Sequence, residues 1–250
     1  MPNLTAIEIL LTALIFLGGS LVFSTVGFGI GVSTIPLLLI LFDPQTVVLV
    51  VNTVSLGLFV LVIYQTRESL RVREIAPIVA AGLLGVPVGV YFLSAADISL
   101  LRISIAGGIL IFTGIASVNF RSILPKSPVT GIVVGFVVSV LLVGLGVGGA
   151  LIALFALTRD WERHAVRGSL ALYFLVIEGT AVLGYGFAGM FTPERVSLIA
   201  VAAIPVAVGF AIAARIHRRM NERIFRRALL FMIIASSLVV LAREAAALAG

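Results

Sequence analysis

Few side chains in this sequence can do chemistry, and those that can lie in apolar surroundings. Glu178 is the one charge between Gly168 and Pro193. A carboxylate inside a membrane is costly and commonly marks an ion or proton path. Taking up a proton removes that cost, so Glu178 reads as a proton-coupling or gating group. A neutral Glu bonded at a helix contact is the plainer alternative. The two histidines, His164 and His217, fall in basic loops and read as interface residues. With no cysteine, disulfides, thiolate metal sites and thiol nucleophiles are all excluded. No cofactor and no metal site is expected.

The other chemistry available is backbone chemistry. Two glycine clusters lie inside apolar stretches, Gly27-Phe28-Gly29-Ile30-Gly31 and Gly144-Leu145-Gly146-Val147-Gly148-Gly149. Glycine allows a helix to break, and in lipid a break is tolerated only where it is buried in protein or lines a watery cavity. The helix that restarts after a break presents free N–H groups and the positive end of its dipole. Two such breaks meeting near the midplane would make an anion site that needs little side-chain charge, built on Gly27, Gly29, Gly31, Gly144, Gly146 and Gly148. Small residues also serve close helix packing. The occurrence of two matched clusters, both in overlong blocks, favours the site. Ser33 and Thr34 follow the first cluster. Asn52 and Ser169, 117 residues apart, lie early in the next blocks. All four could donate hydrogen bonds to an oxyanion, although Ser and Thr commonly bond back to their own helix. Arg167 stands where a block leaves a basic loop. It reads either as an attractor of anions at the entrance or as a plain interface anchor.

The elements that must position these groups follow from composition. Of the 250 residues, 61% are hydrophobic and 11% charged, with a mean hydropathy of +1.25. A soluble surface needs about 25% charged residues, so most of this surface faces lipid. Disorder and nucleic-acid binding are excluded on the same grounds, despite a net charge of +6. Charge-poor intervals define eight hydrophobic blocks, near 5–41, 46–65, 75–93, 100–118, 129–157, 165–189, 196–214 and 228–242. They are continuously apolar rather than alternating, which predicts spanning helices rather than barrel strands. The first basic residue is Arg67, so the basic start of a signal peptide is missing, and the first block is expected to belong to the mature chain.

The blocks suggest two halves, 1–120 and 121–250, forming one membrane domain. The glycine clusters match at an offset of 117, and Val86-Pro87-Val88 matches Ile204-Pro205-Val206 at 118. Basic residues test the topology. Eight simple crossings leave them spread over both sides. If each overlong block folds back at its glycines, loops 67–73, 121–126, 159–167 and 215–227 share a side and hold 14 of the 17 basic residues. That arrangement inverts the halves and puts both termini outside. Each half is then a glycine-broken hairpin plus three further helices, up to ten membrane segments in all. The basic run from Arg215 to Arg227 suits contact with anionic lipid heads.

These motifs resemble the sulfite exporter TauE/SafE family. The likeness is carried by Gly27-Phe28-Gly29-Ile30-Gly31 with Pro36 following, by the cluster at 144–149, by the short basic loop at 67–73 and by Gly85-Val86-Pro87-Val88-Gly89. It covers nearly the whole chain. The resemblance implies an integral transporter of small sulfur-containing or organic anions, associated with export of sulfite, sulfoacetate and related sulfonates. It also implies that the clustered glycines form the substrate or pore backbone. Two departures are visible. Ala153 stands where the second half would repeat Pro36, and the first cluster is less glycine-rich than the family's usual run. A related membrane group takes up thiosulfate through a cysteine relay, which a cysteine-free chain cannot use.

The expected protein is therefore an all-α, inverted-repeat secondary transporter of the cytoplasmic membrane. It exports sulfite or an organosulfonate by alternating access and is coupled to protons through Glu178. Its partners are the anion and membrane lipids, with no nucleic acid; the residues leave oligomeric state open. A passive anion channel is the alternative. An intramembrane enzyme is a weaker one, since no nucleophile, base or metal cluster sits inside a block.

Overall fold

The computed structural model describes residues 4–26, 29–117, 127–159, 161–216, 234, 237–242 and 244–246. Gly27, His217, most of the basic run 215–227 and most of the eighth block lie outside the described residues. Among the described residues every regular element is a helix.

Both overlong blocks break at their glycines. Helix α1 (Ala6–Val26) stops before the first cluster and α2 (Ile30–Leu38) restarts after it. Helix α6 (Pro128–Leu145) and α7 (Gly149–Thr158) do the same around the second cluster. Gly29 takes φ 92° and Gly146 takes φ 68°, both in the left-handed region. A side chain there costs about 1–2 kcal/mol, which explains why the chain breaks where it does. The end of α6 is closed by Gly146 N–H and Val147 N–H donating to the carbonyls of Leu142 and Leu141, the first of these being the bond of an αL cap on a left-handed glycine.

The described residues also form α3 (Pro44–Thr66), α4 (Val72–Ala95), α5 (Ile98–Ser117), α8 (Arg163–Phe187) and α9 (Pro193–Ile216). Local signals start several of them. Asp43 caps α3 by accepting from Thr46 N–H at 2.9 Å, with Pro44 in the first turn. Ser127 and Pro128 repeat the arrangement at α6. Among the described residues, five helices are long and apolar enough to cross a membrane: those at Ala6–Ser24, Pro44–Ser69, Val72–Ala95, His164–Phe187 and Pro193–Ala213.

Helix directions can be read from paired contacts. Helices α1, α2 and α3 run up, down and up, because α2 folds back along both neighbours. Gly19 meets Ser33 and Thr34, and the start of α2 shares a cavity lining with the middle of α3. Helices α6, α7 and α8 fold back in the same way, with Phe155 against Gly131 and Phe174 against Gly149. Helix α3 is antiparallel to α8, since Thr66 meets Gly168 while Asn52 meets Tyr185. Helix α4 runs parallel to α6, along a seam where Gly85 faces Phe136 and Ser139 and Gly89 faces Val143 and Gly144. Small residues let these backbones approach closely. Helix α1 packs on α9, and α4 also packs on α8. Helices α3 and α8 lie at the centre, and α3 is the more deeply buried of the long helices.

Candidate functional site

The two helix breaks meet. A methyl group added to Gly31 would stand 2.5 Å from the Gly146 carbonyl oxygen and 3.3 Å from Ile35 Cδ1. One added to Gly146 would overlap Ile35 Cδ1. The first-half and second-half breaks are therefore in backbone contact, and the contact exists because neither residue has a side chain.

Beside this contact lies a cavity. It is lined by Gly29, Ile30, Gly31 and Val32 at the start of α2, by Val51, Asn52, Ser55 and Phe59 on α3, by Leu142 and Gly146 at the end of α6, and by Gly149, Phe174 and Glu178. Its volume is about 20 Å³, room for about one water molecule. The first intrahelical donor of α2 is Ser33 N–H, to the Gly29 carbonyl at 3.2 Å. The N–H groups of Ile30, Gly31 and Val32 precede it and have no carbonyl within the helix to reach. Glu178 is buried, and its Oε2 has no hydrogen-bond partner.

Asn52 holds the end of α6. Its amide donates to the Leu142 carbonyl at 3.3 Å and to Tyr185 Oη at 3.0 Å, and Tyr185 Oη donates to the Val143 carbonyl at 2.6 Å. The Leu142 carbonyl also accepts from Gly146 N–H, so Asn52 adds a second donor there, while Tyr185 supplies a donor to the Val143 carbonyl in the last turn of α6. This places one face of Asn52 on structure while the residue also lines the cavity.

The other sequence-selected residues sit elsewhere. Ser33 Oγ donates to the Ile30 carbonyl at 2.9 Å, and Thr34 Oγ1 donates to the same carbonyl at 2.7 Å. Both hydroxyls therefore serve their own helix. Gly144 packs on α4, where a methyl group would lie 3.3 Å from the Gly89 carbonyl oxygen. Gly148 caps the start of α7 and faces Val138 and Leu141 of α6. Ser169 lies near the start of α8, where its Oγ accepts from Arg71 N–H at 3.0 Å. Arg167 is at the same end, half-buried, with its Nε unpartnered. Of the named residues, the structure brings Gly29, Gly31, Asn52, Gly146 and Glu178 together.

Ser55, Phe59 and Phe174 were not singled out in the sequence. The signal was helical spacing: Ser55 and Phe59 follow Asn52 by three and seven positions, and Phe174 precedes Glu178 by four, so each set shares a face. Among the described residues no group of three or more His, Cys, Asp or Glu could hold a metal ion.

Comparison with protein families matches residues 11–240 to the family described as Sulfite exporter TauE/SafE. The chain belongs to the sulfite exporter TauE/SafE family. The match spans α1 through the segment after α9, so it includes both helix breaks and every residue of the cavity. Membership makes this protein a membrane protein of an anion-exporter family, in agreement with its apolar helices. Comparison with curated proteins and with solved structures found no match.

Proposed function

We propose that the protein is a secondary transporter that exports sulfite or an organosulfonate across the cytoplasmic membrane by alternating access. The observation that carries this reading is the contact of the Gly31 and Gly146 backbones beside a cavity lined by Ile30, Gly31 and Val32, whose N–H groups have no carbonyl within the helix to reach. Those donors and the dipole of α2 suit an oxyanion. The hydroxyl of Ser55 and the amide of Asn52 complete the polar lining. The narrow cavity fits about one water, so a three-oxygen anion enters only when the two breaks part. Such a site changes between access states instead of remaining an open pore. Glu178, which lines the same cavity and has an unpartnered Oε2, takes the proton role. Protonated, it donates to the anion; ionised, it repels it.

An inverted repeat gives the two access states. Its support is threefold. Helices α1 and α3 run opposite to α6 and α8, because α3 and α8 are antiparallel. Packing is preserved on exchange of halves: α1 lies on α9 as α6 lies on α4, and α3 lies on α9 as α8 lies on α4. The cavity residues Ser55 and Phe174, and Phe59 and Glu178, are each 119 apart, as are the helix starts Ile30 and Gly149. Orientation follows from the basic loops. Those at 67–73 and 159–167 share an end of the molecule, joined by Trp161 Nε1 donating to Glu74 Oε2 at 2.9 Å. With that end in the cytoplasm, both termini lie outside.

The test is flux in liposomes holding the purified protein, with sulfite, a sulfonate and sulfate offered separately, with and without a pH gradient. Saturable sulfite or sulfonate flux supports the reading, and absence of flux for every sulfur oxyanion removes the substrate assignment.

A further inference from the structure

Away from the cavity, the two halves are joined by polar side chains at both ends of the molecule. At the end remote from the basic loops, Arg195 reaches from the first turn of α9 to the start of α3. Its Nε donates to Thr46 Oγ1 at 2.9 Å, one Nη donates to Gln45 Oε1 at 3.3 Å, and Asp43 Oδ1 lies 3.6 Å away. The other Nη holds the Met190 carbonyl at 2.7 Å, which fixes the side chain to its own half. The Arg195 side chain is only 13% exposed. At the basic end, Glu74 occupies the corresponding third position of α4 and accepts from Trp161, just before α8. Arg195 is the third residue of α9, and Asp43 to Thr46 open α3. The two junctions thus occupy matching places in the two halves, at opposite ends.

They are unequal. The Arg195 junction combines a largely covered guanidinium with two hydrogen bonds and one ion-pair contact across the interface. The basic end has the exposed Trp161–Glu74 hydrogen bond beside an exposed Arg71–Glu74 ion pair at 3.8 Å, with Arg71 N–H donating to Ser169 Oγ at 3.0 Å as a further bond across the halves. A second cross-half ion pair strengthens the remote end, Arg102 to the buried Glu244 at 2.8 Å. Guanidinium is suited to this task because its rigid fork satisfies several acceptors at once.

We propose that Arg195 with Asp43, Gln45 and Thr46 is the outer gate latch of the transport cycle, and Glu74 with Trp161 its inner counterpart. This rests on the alternating-access reading above. The outer latch holds the cavity closed from the remote side in the state described here. It must release its cross-half partners for the anion to leave, while the inner latch stays closed.

The natural absence of cysteine makes the latch testable. Ser55→Cys reports access to the cavity. The full chain in oriented liposomes is treated with a membrane-impermeant thiol reagent from each side. Adding Arg195→Gln should raise labelling from the remote side about ten- to a hundredfold, the range that follows from losing one hydrogen bond to a charged group. Arg195→Lys should restore closure only in part. Unchanged remote-side labelling in Arg195→Gln overturns the proposal. Should that variant fail to insert, Trp161→Phe reports on the other latch: labelling from the basic side must rise, and no change there overturns the proposal equally. In a second arm, a cleavable thiol-to-thiol linker joins Gln45→Cys to Arg195→Cys. Flux must stop and return on cleavage; flux that persists through the linked state contradicts the latch. Labelling needs no substrate, so failure of sulfite flux alone would defeat the substrate assignment and leave the latch to be decided by accessibility.

Discussion

Gly31→Ala separates a site made by backbone contact from one made by general packing. A methyl group at this position meets the Gly146 carbonyl oxygen at 2.5 Å. Ordinary carbon contacts need about 3.5 Å or more, so the two breaks must part by about 1 Å. Overpacking of this kind costs about 1–3 kcal/mol. The better helix preference of alanine returns about 0.5–1 kcal/mol, so a net loss remains. Two comparison variants isolate the cause. Gly29→Ala meets nothing within 4 Å but must adopt φ 92°, at about 1–2 kcal/mol of strain. Gly57→Ala also meets nothing within 4 Å and lies inside α3 with no positive φ, so it should be neutral or slightly stabilising. Apparent unfolding temperature in detergent and sulfite flux in liposomes are measured for all three. Gly31→Ala should lose stability and weaken apparent sulfite affinity about tenfold, as expected when one donor to the anion moves out of reach. Gly57→Ala should match the parent. If Gly31→Ala behaves like Gly57→Ala in both assays, the reasoning from the meeting of the breaks is refuted.

Other variants test the neighbouring assignments. Tyr185→Phe leaves the buried Val143 carbonyl without its donor, so stability should fall by about 1–3 kcal/mol; an unchanged unfolding temperature would show that this bond holds nothing. Glu178→Gln should keep sulfite binding while removing the response of flux to a pH gradient. A pH response equal to the parent's would take the proton role from this residue. Gly144→Ala should lower stability through the seam with Gly89 and leave sulfite affinity at the parent value; a selective loss of affinity would place Gly144 in the site after all.

Much of the architecture was legible in the sequence, for physical reasons that particular residues display. A glycine run inside an apolar block too long for one span announces a break, and both breaks occur at the glycines. Asn52 and Glu178 were legible because a polar group inside an apolar block must find a partner or a cavity, and both line the cavity. What the sequence hid was register. The glycine runs match at an offset of 117, but the structure uses Gly29, the second glycine of the first run, and Gly148, the third of the second, to start the returning helices. The starts of α2 and α7, and of α3 and α8, therefore lie 119 apart, an offset at which Asn52 pairs with Ala171. Ser169, chosen by the 117 offset, sits instead at the start of α8 against Arg71. Ser33 and Thr34 were hidden for another reason: a hydroxyl within a helix finds the carbonyl three or four residues back at no cost in chain entropy. Arg195 stood out in the sequence only as one of the few basic residues outside the basic loops. Its role across the halves depends on α9 and α3 starting at the same end, which no local pattern reveals.

The central claim is that the meeting of two broken helices moves a small sulfur oxyanion. It is tested most directly by loading radiosulfur-labelled sulfite into liposomes that contain the purified protein and following its exit against protein-free liposomes of the same lipid. Protein-dependent, saturable exit is expected, which Gly31→Ala slows and Gly57→Ala does not. Exit no faster than from protein-free liposomes, with protein shown to be folded and inserted, would contradict it.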